Sequence, residues 1–381
     1  MDNCNIDRKL DERAEALFAR ISLLIETARK NIASTINITM VYANFETGKY
    51  IVEDEQQGAH RAEYGKSVLK QLSQKLIEKY GRGWSVENLT LYRKFYLVYA
   101  DSVNMIDPIQ KKSLGKDFVN TVYEIGKFEA FSQISQKSFT LSWSHYLILM
   151  RIENPSERSF YEIECAQQQW SVRQLQRQVN SSLYERLALS RNKHEVVRLS
   201  KEGQTVEKSL DLIKNPLTLE FLGLKSETTY SESKLETAII DKLQDFLLEL
   251  GKGFLFEARQ KRFTFNEEHF FVDLVFYNRL LQCYCLIDLK IDKLTHQDLG
   301  QMQMYVNYYD RYVKQSFEKP TIGILLCKEQ NEALVKLTLP DDANIYATQY
   351  ALYLPNKQLL QAKLNQWAEE FKANHDELEH P

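Results

Sequence analysis

Between residues 254 and 290 three apolar runs, "FLFEARQKRFTF", "FFVDLVFY" and "LQCYCLIDLK", follow one another with only short polar breaks. Each is rich in aromatic and β-branched residues over about a strand's length, which predicts three consecutive strands. An amphipathic helical pattern precedes them, "LETAIIDKLQDFLLELGKG" (235–253), closed by Gly251 and Gly253. A second follows, "THQDLGQMQMYVNYYDRYV" (295–313), with Thr295 or His296 near its cap; then come the strand "TIGILLC" and a further strand in "ANIYATQYALYL". Helix, three strands, helix, strand is the order of an α/β sandwich, so a sheet covered by helices is expected over 235–355. The segment from 356 to 381 reads as a helical tail, acidic at its end.

Nothing before residue 194 has that texture. Leu10, Ala14, Leu17, Ile21, Leu24 and Ile25 recur at helical spacing and predict a helix over 10–40. A second is expected over 64–80, stopped by "GRG", and a third from "WSVENLTLYRKFYLVYA", capped by Ser85. Helix, short glycine-containing turn, helix is a helix-turn-helix outline. The pattern recurs: "PSERSFYEIECAQQQ" (155–169) precedes "WSVRQLQRQVNSSLYERLALS", where Trp170-Ser171-Val172 repeats Trp84-Ser85-Val86 and Ser171 with Gln174 forms a capping box. Both tryptophans are expected in the core. The chain thus divides into a helical half at 10–193, a polar linker at 194–234, the α/β domain and the tail.

The 381 residues carry a formal charge of -3, which excludes a bulk-basic protein. Any nucleic-acid surface must therefore be a local cluster. Two are present. Residues 60–100 have eight basic side chains against three acidic ones, including Arg82, Arg93 and Lys94; residues 168–193 have five against one, including Arg173 and Arg177. Solvated helix faces explain both clusters equally well. The five cysteines are odd in number, scattered, and form no C-x-x-C pair, as suits a reducing cytoplasm. The first residues, "MDNCNIDRKL", predict no signal peptide, and no run of 18 apolar residues predicts a membrane span. No phosphate-binding glycine loop predicts a nucleotide cofactor.

The run "CYCLIDLKID" breaks into charge at Asp288 and Lys290, which share a strand face. "FYNRLLQ" supplies a turn, with Asn278 able to take left-handed backbone, so the preceding strand folds back and sets Asp273 across from residues 286–288. Asp273 interrupts an otherwise apolar run. Two carboxylates that close repel and call for a cation between them, and a hard divalent ion with oxygen ligands satisfies both. Mg2+, with Mn2+ as a substitute, would activate water for attack on phosphorus, while Lys290 would offset charge growing on the phosphate oxygens. That is the chemistry of a metal-dependent phosphodiesterase. A salt-bridged strand end accounts for D-x-K as well. Context favours the first reading: Glu236 on the preceding helix, and Gln297, Gln301 and Tyr305 on one face of the following helix.

This layout resembles that of the PD-(D/E)xK nuclease superfamily. Through "YGKSVLKQLSQKL", "WSVENLTLYRKFY", "FYEIECAQQQWSVRQLQRQVNSSLYERL", "VDLVFYNRLLQCYCLIDLK" and "PTIGILLCK", the chain resembles the YhcG-like family of bacterial nucleases over about residues 15–355. The resemblance implies an α-helical N-terminal half joined to a restriction-endonuclease-like α/β domain with a central mixed sheet. Asp273 matches the first acid, Asp288 the second, Lys290 the lysine, Glu236 the helix acid and a third metal ligand, and Gln301 the helix glutamine. Arg259 and Gln260 are then placed for substrate contact, and Glu257 is a weaker candidate ligand. Val272 stands where the motif has proline, and Asp288 where relatives usually carry glutamate.

Three readings remain open: a Mg2+-dependent DNA endonuclease, a DNA-binding or assembly protein on a nuclease fold, and a protein-interaction role for the helical half. A homodimer suits the first, since two active sites cut both strands.

Overall fold

The structure is a computed structural model that describes residues 37–55, 62–104, 139–189, 193–224, 230–265, 267–329, 332–340 and 343–366. Most of the helix expected over 10–40 lies outside them, as does the acidic end of the tail. The chain divides into two units, Met1–Glu153 and Asn154–Pro381.

In the first unit, α1 (37–55), α2 (Ala62–Tyr80), α3 (Val86–Asn104) and α4 (Trp143–Leu149) surround an aromatic core. Phe95 is fully buried, with its ring 5.7 Å from Phe45, 5.1 Å from Phe139 and 5.1 Å from Tyr146. Between α2 and α3, Gly81 takes φ 91°, a left-handed conformation that stops the helix without Cβ strain. Ser85 then accepts from the Asn88 amide at 3.3 Å and caps α3, as its position predicts. Trp84 departs from expectation: it is half-buried, packed on Tyr92 at 5.9 Å, because it sits in the turn between the helices.

The second unit begins with α5 (Pro155–Gln168), α6 (Val172–Asn180), α7 (Leu183–Leu189) and α8 (Lys193–Glu202). The Ser171–Gln174 capping box is present and Trp170 is buried. The helix expected to start at Ser171 is present as α6, and a break at Ser181-Ser182, where Ser182 takes φ 53°, separates it from α7. In the structure α5 to α8 fall in the same unit as the sheet.

Of the stretch read as a polar linker, residues 194–224 and 230–234 are described, and they carry helix, strand and buried side chains. They complete α8, bury Lys214, Leu217 and Leu219, and supply β1 (Leu217–Thr218). Its two residues pair in parallel with Tyr350 and Ala351, more than a hundred positions away, a partnership no local pattern announces.

After β1 come α9 (Glu232–Asp241), α10 (Leu243–Leu250), β2 (Phe254–Phe265), β3 (Glu268–Asn278), β4 (Cys283–Lys293), α11 (His296–Tyr308), β5 (Ile322–Glu329), α12 (Glu332–Thr338), β6 (Ile345–Ala351) and α13 (357–366). The helix expected as one over 235–253 is broken at Lys242. The strands form a mixed sheet in the order β1-β6-β5-β4-β3-β2, antiparallel from β2 to β4 and parallel beyond. On one face Leu235, Ile239, Phe246 and Leu250 of α9 and α10 pack on Leu274, Phe276, Ile287 and Leu289. On the other, Leu299, Met302 and Val306 of α11 pack on Val275, Leu286 and Leu325. A Cβ on Gly323 would stand 2.7 Å from Met302 Cγ, so glycine lets α11 settle against β5. Strand β4 is buried on both faces, which is why it reads as a continuous apolar run. The β3–β4 turn is closed by Asn278, whose Oδ1 accepts from the Leu280 and Leu281 amides at 3.1 Å; the left-handed residue is Gln282 (φ 56°), in place of Asn278 as expected.

Candidate active site

Pairing between β3 and β4 runs from Asn278↔Cys283 to Leu274↔Ile287 and stops there. The site forms where the two strands part. The amide of Leu289 goes to the Asp273 side chain, whose Oδ2 accepts from it at 2.8 Å. A carboxylate here takes the place of a ladder carbonyl, which ties its orientation to the backbone of the strand carrying Asp288. Gln260 of β2 holds the other oxygen, its Nε2 donating to Asp273 Oδ1 at 2.8 Å.

Asp288 has the opposite surroundings. It is 3% exposed, on the face of β4 that looks toward α11. Lys290 Nζ lies 2.9 Å from Asp288 Oδ2, an ion pair with the carboxylate almost fully buried. Burial, followed by the charge of Asp273, outweighs Lys290 and raises the Asp288 carboxyl to about 7. Asp273 and Asp288 thus come together, as the hairpin register predicts, and the lysine joins them.

Lys290 is ringed by acids: besides Asp288, Glu232 Oε2 is at 3.9 Å and Asp298 Oδ1 at 3.7 Å. Burial opposes its charge, yet the three carboxylates prevail and hold the ammonium above its ordinary value. Lys290 is therefore a fixed cation and is unsuited to act as a base. Asp298 is itself fixed by the capping box of α11, accepting from the Thr295 amide at 2.8 Å. Glu232 sits one turn before Glu236 on α9; burial raises its carboxyl, Lys290 works against that, and Asp273 adds to it.

Glu236 is buried beneath the site, but its oxygens are engaged. Arg259 Nε donates to Oε1, and Gln260 Nε2 donates to Oε2 at 2.7 Å. Among the described residues no three His, Cys, Asp or Glu side chains converge as a metal cluster. The expected ligand set of Asp273, Asp288 and Glu236 is thus a pair of aspartates with Glu236 turned toward Arg259 and Gln260. The donor chemistry still fits a hard divalent ion: two adjacent carboxylates, one of them buried and pressed toward its neutral form by the other.

Gln301 is exposed and donates to the Tyr305 hydroxyl. Tyr305 is buried and carries the influence of α11 toward the acids: burial first, then Asp288 and Asp273, raise its hydroxyl. Glu257 is exposed and pairs with Lys261 at 3.5 Å, so it stands apart as a ligand. Glu232 and Asp298 were not anticipated. Glu232 could have been found from its i, i+4 spacing to Glu236, and Asp298 from the T-x-x-D pattern opening α11.

The expected nucleic-acid residues separate. Arg177 is corrected: its guanidinium bonds Glu249 Oε2 at 2.9 Å, Glu220 Oε1 at 3.0 Å and the Thr218 carbonyl at 2.9 Å. Glu249 is fully buried and also pairs with Arg186 at 2.6 Å, so Arg177 completes an internal network where a lone carboxylate would be costly. Arg173, one turn earlier, is exposed. In the first unit Arg82 and Lys94 are exposed, and Arg93 pairs with Glu55 at 2.7 Å near the surface.

Residues 210–365 match the family described as the YhcG PDDEXK nuclease domain, and residues 20–186 match the DUF1016 N-terminal domain. The protein named "Putative nuclease YhcG" of Escherichia coli (strain K12) is 37% identical over 343 residues, covering 90% of this chain and 91% of that one. A repair endonuclease from Pyrococcus abyssi is similar at 17% identity and a TM-score of 0.23, over 35% of this chain and 50% of that one. The EndoMS-dsDNA2 complex is similar at 16% identity and a TM-score of 0.24, over 35% and 49%. The chain thus spans about half the length of each solved structure and nearly all of the bacterial relative. On this likeness the chain belongs to the YhcG nuclease family, in which a DUF1016 domain precedes a PDDEXK nuclease domain.

Proposed function

We propose that this protein is a metal-dependent endonuclease that hydrolyses phosphodiester bonds in DNA, with Asp273 and Asp288 holding Mg2+ and Mn2+ able to replace it. The observation that carries the reading is Asp288: a buried carboxyl beside a second carboxyl, with the Lys290 ammonium 2.9 Å from its Oδ2. A bound divalent ion would make attacking water more acidic and offset charge at the phosphorus. The chain's own residues do the rest. Leu289 N and Gln260 keep Asp273 oriented, and Asp288 gives up its proton when a cation arrives. The Lys290 ammonium, held charged by Asp288, Glu232 and Asp298, meets the negative charge that grows on the phosphate oxygens. Exposed Arg173 on α6, and Arg82, Lys94 and the partly exposed Arg93 in the first unit, supply cations for the DNA backbone.

The test is cleavage of plasmid DNA with and without Mg2+ or Mn2+. Cutting should need the ion, stop on chelation, and be lost in Asp288→Ala. A wild-type chain that binds DNA yet never cuts it with either ion favours the second reading, a binding or assembly protein on a nuclease fold. That reading draws on Glu236, which is satisfied internally by Arg259 and Gln260.

A further inference from the structure

Gln260 takes φ 46° in the middle of β2, a left-handed conformation that a non-glycine residue keeps only when its surroundings over-determine it. The flanking pairs are Arg259↔Leu274 and Lys261↔Val272, so Gln260 lies opposite Asp273. Both strands reverse their faces at this point. Ala258 and Phe263 contribute to the same core although five residues apart, and so do Val272 and Val275, three apart. A regular strand sends residues at odd spacing to opposite sides.

The reversal gives Gln260 an unusual aim. Its side-chain nitrogen donates to Glu236 Oε2 at 2.7 Å and to Asp273 Oδ1 at 2.8 Å, bridging two acids from different elements. With Leu289 N on Oδ2 at 2.8 Å, both oxygens of Asp273 are held by donors. Gln260 is itself exposed, so the strained backbone does not serve to bury it. We infer that Gln260 is a positioning residue whose left-handed backbone holds Asp273 in the orientation that receives a divalent cation. The inference rests on the nuclease reading of the Asp273–Asp288 pair. Outer partners of this kind orient ligating carboxylates, and removing one weakens metal affinity by about 10–100-fold.

The experiment compares Gln260→Gly and Gln260→Ala with the wild-type chain. Glycine adopts left-handed backbone freely and removes the side chain with its carboxamide; alanine also removes the carboxamide but keeps Cβ and the strain. Mn2+ binding is measured directly by the loss of its free paramagnetic resonance signal, alongside melting temperature and cleavage as a function of Mn2+ concentration. The expected result is a Gln260→Gly chain that melts at or above the wild-type temperature and binds Mn2+ about 10–100-fold more weakly, with half-maximal cleavage moved to higher Mn2+. Unchanged Mn2+ affinity in both variants, with the wild type binding normally, overturns the positioning role and leaves the nuclease reading standing. Failure of the glycine variant to fold also overturns it, since the residue would then be structural. A wild-type chain that binds no Mn2+ removes the nuclease reading and this inference with it.

Discussion

A carboxyl buried beside another carboxyl is a poor acid, and Asp288 is raised from 3.8 to about 7, by burial first and Asp273 second. Between those values the folded chain keeps a proton that the unfolded chain has released. Stability therefore falls as pH rises from about 4 to about 7 and stays lowered above that. Asp288→Asn should stabilise the protein at pH 8, on the order of 2–4 kcal/mol, and change little at pH 4.5. Lys290 is not stranded by this change, because Glu232 and Asp298 remain at 3.9 and 3.7 Å. Melting curves at the two pH values decide it; an equal shift at both contradicts the assignment. Mg2+ should stabilise the wild type at pH 8 and leave the Asn variant unmoved. Lys290→Ala should lower cleavage by about 10²–10³-fold. It should disturb folding little, since Asp288 can take up a proton in place of its partner. Lys290→Arg should fail to restore the rate, because a planar guanidinium cannot occupy the place of a compact ammonium. Lys290→Ala cutting at the wild-type rate would remove the residue from the chemistry.

Helix α6 shows how one element serves two ends. Arg173 and Arg177 are one turn apart and look alike in the sequence, yet only Arg173 faces solvent. Arg177 and Arg186 converge on Glu249 of α10 at 2.9 and 2.6 Å, which fastens the second helical pair to the helices under the sheet. Burial opposes the Glu249 charge, but Arg186, Lys214 and Arg177 bring its carboxyl well below the ordinary range. Arg177→Ala should cost about 3 kcal/mol or somewhat less, since Glu249 keeps Arg186. Arg173→Ala should stay within about 0.5 kcal/mol. Urea midpoints for the two variants test this directly. If Arg177→Ala is as stable as Arg173→Ala, the network is not what joins these elements.

At the scale of the molecule, a chain of net charge -3 must confine phosphate binding to patches, and the first unit offers Arg82, Arg93 and Lys94. Replacing Arg82 or Lys94 by alanine should reduce the slope of log affinity against log salt by about 1 each if they meet phosphate. An unchanged slope in full-length protein would leave that patch a solvated face. The order of elements was legible in the sequence because strand and helix periodicities are local: β2 to β6 and α11 fall where their apolar patterns predict. Asp273, Asp288 and Lys290 were legible for the same reason, since a tight hairpin and a period of two fix which residues share a face. So was the Ser171–Gln174 capping box, whose geometry spans four residues. Whatever depends on a distant partner was not. Only the tertiary structure paired Leu217 and Thr218 with β6, committed Arg177 to Glu249, brought Glu232 and Asp298 to Lys290, and turned Glu236 toward Arg259 and Gln260. A side chain's type and spacing are written locally, whereas its burial and its partner are decided by long-range contacts between elements.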